Sequence, residues 1–105
     1  MKTFFGGTFI NKETLEEAGI EHPIKLEYYK QINEDDIKSK DKAKFGIIII
    51  QTDYIDNKAN TKTKEIKYIT NDEIQEEKIL NIFKENQVTP INSEEIIADL
   101  FRTIY

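Results

Sequence analysis

The sequence predicts an α+β fold: an antiparallel β-meander of three to four strands followed by two C-terminal helices packed on one sheet face. Three observations lead there. Apolar and polar residues alternate through Ile24–Ile32, and an apolar run fills the middle of Phe45–Tyr54. After Ile69 the spacing of apolar positions changes from two to about 3.6 residues. Two helix-start signatures then punctuate the last third. At 105 residues the chain has room for one core, so residues 1–105 are expected to form a single domain.

Taken in order, Lys2 to Ile10 is rich in Thr and Phe and reads as a strand, weakened by Gly6 and Gly7. Lys12 to Ala18 reads as a short helix, with Asn11 as its N-cap and Gly19 just past its end. Pro23 restricts His22 to an extended conformation and so leads into a strand. In Ile24–Ile32, Ile24, Leu26, Tyr28 and Ile32 fall on one side, and Lys25, Glu27, Tyr29 and Gln31 on the other. Asn33 to Ala43 is a charged loop. The run Ile47–Ile50 is apolar on both faces, as a central strand requires. Asp56 to Thr61 supplies turn residues, and Lys62 to Ile69 forms the next strand, with Ile66 and Tyr68 inward.

The two helices start alike. Thr70 is placed to cap the first, with Glu73 reaching back and Ile69 stapled to Ile74; Asn92, Glu95, Ile91 and Ile96 are placed to do the same for the second. Ile79, Ile82 and Phe83 of the first helix face the core, as do Ile96, Ile97, Leu100, Phe101 and Ile104 of the second. Val88-Thr89-Pro90 breaks the chain between them.

Composition narrows the chemistry. Hydrophobic residues make up 38% and charged residues 33%, which suits a folded globule with a solvated surface. There is no cysteine, which excludes disulfides, thiolate catalysis and cysteine-based zinc sites. Met1–Ile10 lacks the apolar core of a signal peptide, and no apolar run approaches the ~20 residues of a membrane helix. A cytoplasmic protein without a membrane span is the expectation. Lysine and isoleucine are abundant, but both have AT-rich codons, so their frequency carries no functional weight.

Residues from Ile24 onward resemble a family of small uncharacterised proteins, a domain of unknown function, from low-GC spore-forming anaerobic bacteria. The resemblance rests on the Tyr-rich strand Lys25-Leu26-Glu27-Tyr28-Tyr29, on Phe45-Gly46-Ile47, and on a helix ending in Asn86-Gln87-Val88-Thr89-Pro90-Ile91. It covers Ile24 to Tyr105, and the chain departs from it in an N-terminal extension and at Asn92. The resemblance implies a fold and a bacterial host, and no activity.

Catalytic constellations are scarce. His22 is the only histidine, and the only serines are Ser39 and Ser93, neither near it in sequence. The carboxylate doublets, such as Glu76-Glu77 and Glu94-Glu95, diverge on a helix instead of facing one another. Asp53, Asp56, Asn57 and Asn60 lack the glycine and the terminal glutamate of a calcium loop. Gly6-Gly7 lacks the spacing of a phosphate loop. No enzyme activity, no cofactor and no metal are therefore expected.

Two surfaces remain as binding candidates. Strand alternation separates Phe45, Ile47 and Ile49, assigned to the helices, from Ile48, Ile50 and Tyr54. The latter face, with Tyr29, needs cover, because an isoleucine left in water forgoes roughly 1.5–3 kcal/mol. An internal cover by Phe4, Phe5 and Phe9 with Leu15 is the expected one; contact with another protein or with a second copy of the chain is the alternative, and this face is where such an interface would form. The second surface is a lysine set, Lys38, Lys40, Lys42 and Lys44 with Lys58, Lys62, Lys64 and Lys67, near Tyr29 and Tyr54 as stacking faces. A net charge of −5 and interspersed aspartates oppose nucleic-acid binding there. The expected function is a non-catalytic protein-binding or regulatory module. A DNA-associated accessory factor of a mobile element and a phage-borne inhibitor of a host defence enzyme stand as alternatives.

Overall fold

The computed structural model describes residues 2–10, 22–33 and 43–104. The expected helix Lys12–Ala18, Leu15 and most of the charged loop lie outside these described residues. Four antiparallel strands, β1 (Lys2–Ile10), β2 (Ile24–Ile32), β3 (Phe45–Ile55) and β4 (Lys58–Thr70), form one sheet in the order β1-β2-β3-β4. Two helices follow, α1 (Glu73–Glu85) and α2 (Ser93–Ile104), and both pack on one sheet face. The predicted α+β meander is the observed architecture.

The register explains the core. Tyr28 faces Ile49, Leu26 faces Gln51 and Lys30 faces Ile47, so Leu26, Tyr28, Ile47 and Ile49 share one face. These four are fully buried, together with Ile79, Leu80 and Phe83 of α1; Val88 and Ile97 complete the cluster. Side chains two apart on a strand share a face, which is why the alternation in β2 already selected this set. Leu80, not singled out by the helical spacing, is fully buried, while Ile82 is only half-buried.

Turn chemistry lengthens β4. Asp56 and Asn57 both adopt left-handed φ angles, 50° and 64°, giving a tight two-residue hairpin. The strand therefore begins at Lys58 and not at Lys62, because such a turn pairs the very next residues, Ile55 with Lys58. At its other end, β4 shifts register: Ile47 pairs with Ile66 but Phe45 pairs with Thr70. Gly46 sits at the shift, where a Cβ would lie 2.3 Å from the carbonyl oxygen of Ile66, so only glycine fits. The irregularity also corrects the inward placement of Tyr68, which is exposed, whereas Ile66 packs on the core.

The helix ends differ from the expected signatures. Asp72, not Thr70, caps α1: its extended backbone lets its carboxylate accept from the Ile74 amide at 2.9 Å. A carboxylate there also meets the positive end of the helix dipole. Thr70 closes the preceding turn, its hydroxyl accepting from the Asp72 amide and donating to Gln75 Oε1. Neither hydrophobic staple forms, since Ile74 and Ile91 are 64% and 79% exposed. At the C-terminus of α1, Gln87 turns left-handed, Val88 N–H bonds the Phe83 carbonyl and Gln87 N–H bonds the Lys84 carbonyl. That closure aims the Val88 carbonyl at Tyr28, whose buried hydroxyl donates to it at 2.9 Å. The helix end is thereby locked to β2.

Candidate functional site

The face opposite the helices is built by alternation from all four strands. Across it, Phe4 pairs with Tyr29, Tyr29 with Ile48, and Ile48 with Glu65. The neighbouring rung runs from Gly7 through Glu27 and Ile50 to Thr63, and the next from Phe9 through Lys25 and Thr52 to Thr61. Tyr29, Ile48, Ile50 and Tyr54, the candidate interface, thus do share one face, as the alternation within β2 and β3 requires. Ile48 is buried between its longer cross-strand neighbours, Tyr29 and Ile50 are half-buried, and Tyr54 is exposed.

The expected internal cover is not what β1 provides. β1 does not fold over this face; it joins the sheet edge-on, paired with β2 along its length. The β-bulge between Phe4 and Gly6 sends Phe5 to the core side and leaves Phe4 and Phe9 on the open side, 57% and 60% exposed. They extend the apolar surface instead of hiding it. Phe4 meets Tyr29 edge-to-face at 5.5 Å between ring centroids, and Phe9 lies 6.2 Å from Tyr54. Lys2 stands over the Tyr29 ring at 4.8 Å. At the β1 edge the missing side chains of Gly7, on the open face, and Gly6, on the helix face, leave a cleft of about 650 Å³ that Lys25 and Glu27 line on the open side and Lys84 reaches from the helix side. A Cβ on Gly7 would lie 2.7 Å from the Leu26 carbonyl oxygen, so the gap is a fixed feature of the strand.

Polar groups on this face pair with one another. The Tyr29 hydroxyl donates to Glu27 Oε2 at 3.0 Å, and Lys25 lies 3.7 Å from Glu27 Oε1. Burial and the Glu27 carboxylate both push the Tyr29 phenol above its ordinary value.

The lysine set is dispersed. Lys38, Lys40 and Lys42 lie outside the described residues. Lys62 and Lys64 pair with Gln51 and Ile49, which places them on the helix side of the sheet, away from Tyr29 and Tyr54. Lys64 is held by Glu94 at 2.7 Å, and Lys62 stands 4.0 Å from Asp53. Lys44 and Lys67 lie over the rings of Phe45 and Tyr68. These cations are engaged within the fold, and the described ones do not assemble with the tyrosines as a stacking groove would require. Lys58, just beyond the turn, is exposed.

His22 lies 3.7 Å from the buried Asp53, whose carboxylate also accepts from Gln51 Nε2 at 2.8 Å. Ser93 donates its hydroxyl to the Pro90 carbonyl and is buried. Among the described residues no group of three or more His, Asp or Glu side chains is placed to hold a metal. No described helix is long and apolar enough to cross a membrane.

Sequence spacing missed one unusual group. Glu76 of α1 is fully buried against the sheet, and neither of its carboxylate oxygens has a hydrogen-bond partner. Beside it Lys30 of β2 donates to Glu73 at 2.7 Å and to Glu77 at 2.9 Å. Burial pushes the Glu76 carboxyl up to about 7. The Lys30 charge pulls against this, Glu73 and Glu77 add repulsion, and the Gln31 amide lowers it slightly without reaching full hydrogen-bond geometry. The helical position of Glu76 three before Ile79 was the available signal.

The chain belongs to a protein family described as a family of unknown function, DUF6514, whose model matches residues 8–103. The family pattern therefore begins inside β1 and not at Ile24. No curated protein and no solved structure matches the chain.

Proposed function

We propose that this family member is a non-catalytic protein-binding module of the cytoplasm that docks a partner protein on the face opposite its helices. The observation that carries the reading is the chemical contrast between the faces of one sheet. One face is sealed by two helices. The other presents Phe4, Phe9 and Tyr54 to solvent beside Tyr29 and Ile50. Exposed aromatic clusters with a polar fringe are what protein interfaces are made of, and isolated apolar residues would need no such explanation.

A photo-crosslinking amino acid placed at Phe9 or Tyr54 tests the reading in cells that naturally make the protein. The expected result is an adduct of defined mass from both positions and none from Asn81, on the exposed side of α1. Equal labelling from Asn81, or no adduct from either sheet position, would sink it.

A further inference from the structure

We propose that the outer edge of β1, unpaired among the described residues, accepts an extended segment of the partner protein, strand to strand, with an acidic side chain meeting Lys84 and apolar ones against Phe4 and Phe9. This rests on the protein-binding reading and names the kind of partner: its alternate side chains would meet Phe4 and Phe9 on the open face and Lys84 on the helix face.

The sheet has two edges, and they are dressed differently. β4 carries Lys58, Lys62, Lys64 and Lys67, the kind of lysine density that blocks a further strand from pairing. β1, at the other edge, has Lys2 and otherwise only Thr, Phe, Gly and Ile. A strand edge keeps a row of backbone donors and acceptors for a new partner; in β1 the lysine and the bulge sit at its first half, and the stretch from Gly6 to Ile10 carries no charge and no proline to guard them. Gly6 and Gly7 remove side chains at its middle, which is where a second backbone can come closest. Phe4 and Phe9 flank that gap.

Lys84 supplies the specificity. The C-terminal end of α1 lays this side chain over Gly6, with Nζ 3.3 Å from where a Cβ would stand. It has no hydrogen bond or ion pair among the described residues. Glu27, the acid that lines the cleft among the described residues, is engaged by Tyr29 and Lys25. An ammonium group at the rim of a largely apolar cleft is matched by a carboxylate from outside. A second copy of this chain is the wrong occupant. Pairing two β1 strands antiparallel about their glycines would bring two Lys84 ammonium groups to the same place, and like charges there repel.

The test is selection from a displayed library of random nonapeptides against wild type, Lys84→Gln and Lys84→Glu, each first shown to be folded by circular dichroism. Wild type is expected to enrich peptides that alternate β-branched or aromatic residues and carry Asp or Glu near the centre. In fluorescence anisotropy, the enriched synthetic peptide should bind Lys84→Glu at least about tenfold more weakly. The same peptide with lysine for its acid should prefer Lys84→Glu. Methylating alternate backbone nitrogens should abolish binding in one phase of the alternation only, as strand pairing demands. Absence of any extended consensus, a helical consensus, or an acid preference unchanged by Lys84→Glu would overturn the proposal. Adducts from Phe9 and Tyr54 alongside such a result would leave the docking face standing and remove only the strand-pairing mode.

Discussion

The two faces of this sheet are made from the same strands, yet they are governed by opposite solutions. On the helix side, Leu26, Tyr28, Ile47 and Ile49 are closed to water and meet α1 and α2. On the other side, equally apolar residues meet each other across strands and stay partly wet. Alternation guarantees only that two faces exist; which of them is covered depends on where the helices return. Burial, and not hydrophobicity alone, separates the residues that hold the fold from those left on the open face.

The largest test of that division is Phe83→Ala on the helix side. Phe83 is fully buried and packs edge-to-face on Tyr28 at 6.5 Å. Truncation leaves a cavity at the α1–β2 contact and should cost about 3–5 kcal/mol in a denaturant titration. A loss under about 1 kcal/mol would mean that the helices do not close this face.

Glu76 probes the same contact through pH. Its carboxyl, at about 7 in the fold against an ordinary 4.5, keeps its proton over a range in which the unfolded chain has lost it. The group's contribution is complete below about pH 4.5 and is lost as pH rises through 7, a fall on the order of 3 kcal/mol. Glu76→Gln should flatten this part of the stability–pH curve, and above pH 7 it should be the more stable chain. An unchanged slope between pH 4.5 and 7 would show that the carboxyl is not sealed beneath α1.

Much of the fold is legible in the residue pattern. Period-two alternation in β2 picked the right inward residues, and the change of period after Ile69 placed both helices, because burial of one face imposes those repeats. The open-face set Tyr29, Ile48, Ile50 and Tyr54 followed from the same rule. Three features were not legible. The bulge at Phe4/Gly6, which sends Phe5 one way and Phe4 another, depends on local pairing with β2 that no periodicity reports. The register shift at Gly46, which exposes Tyr68, depends on a close backbone approach from β4. Glu76 occupies a core-facing helical position, three before Ile79, but its charge assigned it to the surface.

On the proposed docking face, Phe4, Phe9 and Tyr54 are available to a partner only if they do not hold the fold together. A urea titration of the triple variant Phe4→Thr, Phe9→Thr, Tyr54→Thr beside wild type and Ile49→Ala measures this directly. Threonine keeps strand propensity while removing the aromatic rings. Losing the two exposed aromatic pairs should cost about 1–3 kcal/mol in total and should not exceed the roughly 2–5 kcal/mol expected of Ile49→Ala alone. A triple variant that loses more than Ile49→Ala, or fails to fold, would show that the face is core, and the docking account would be contradicted.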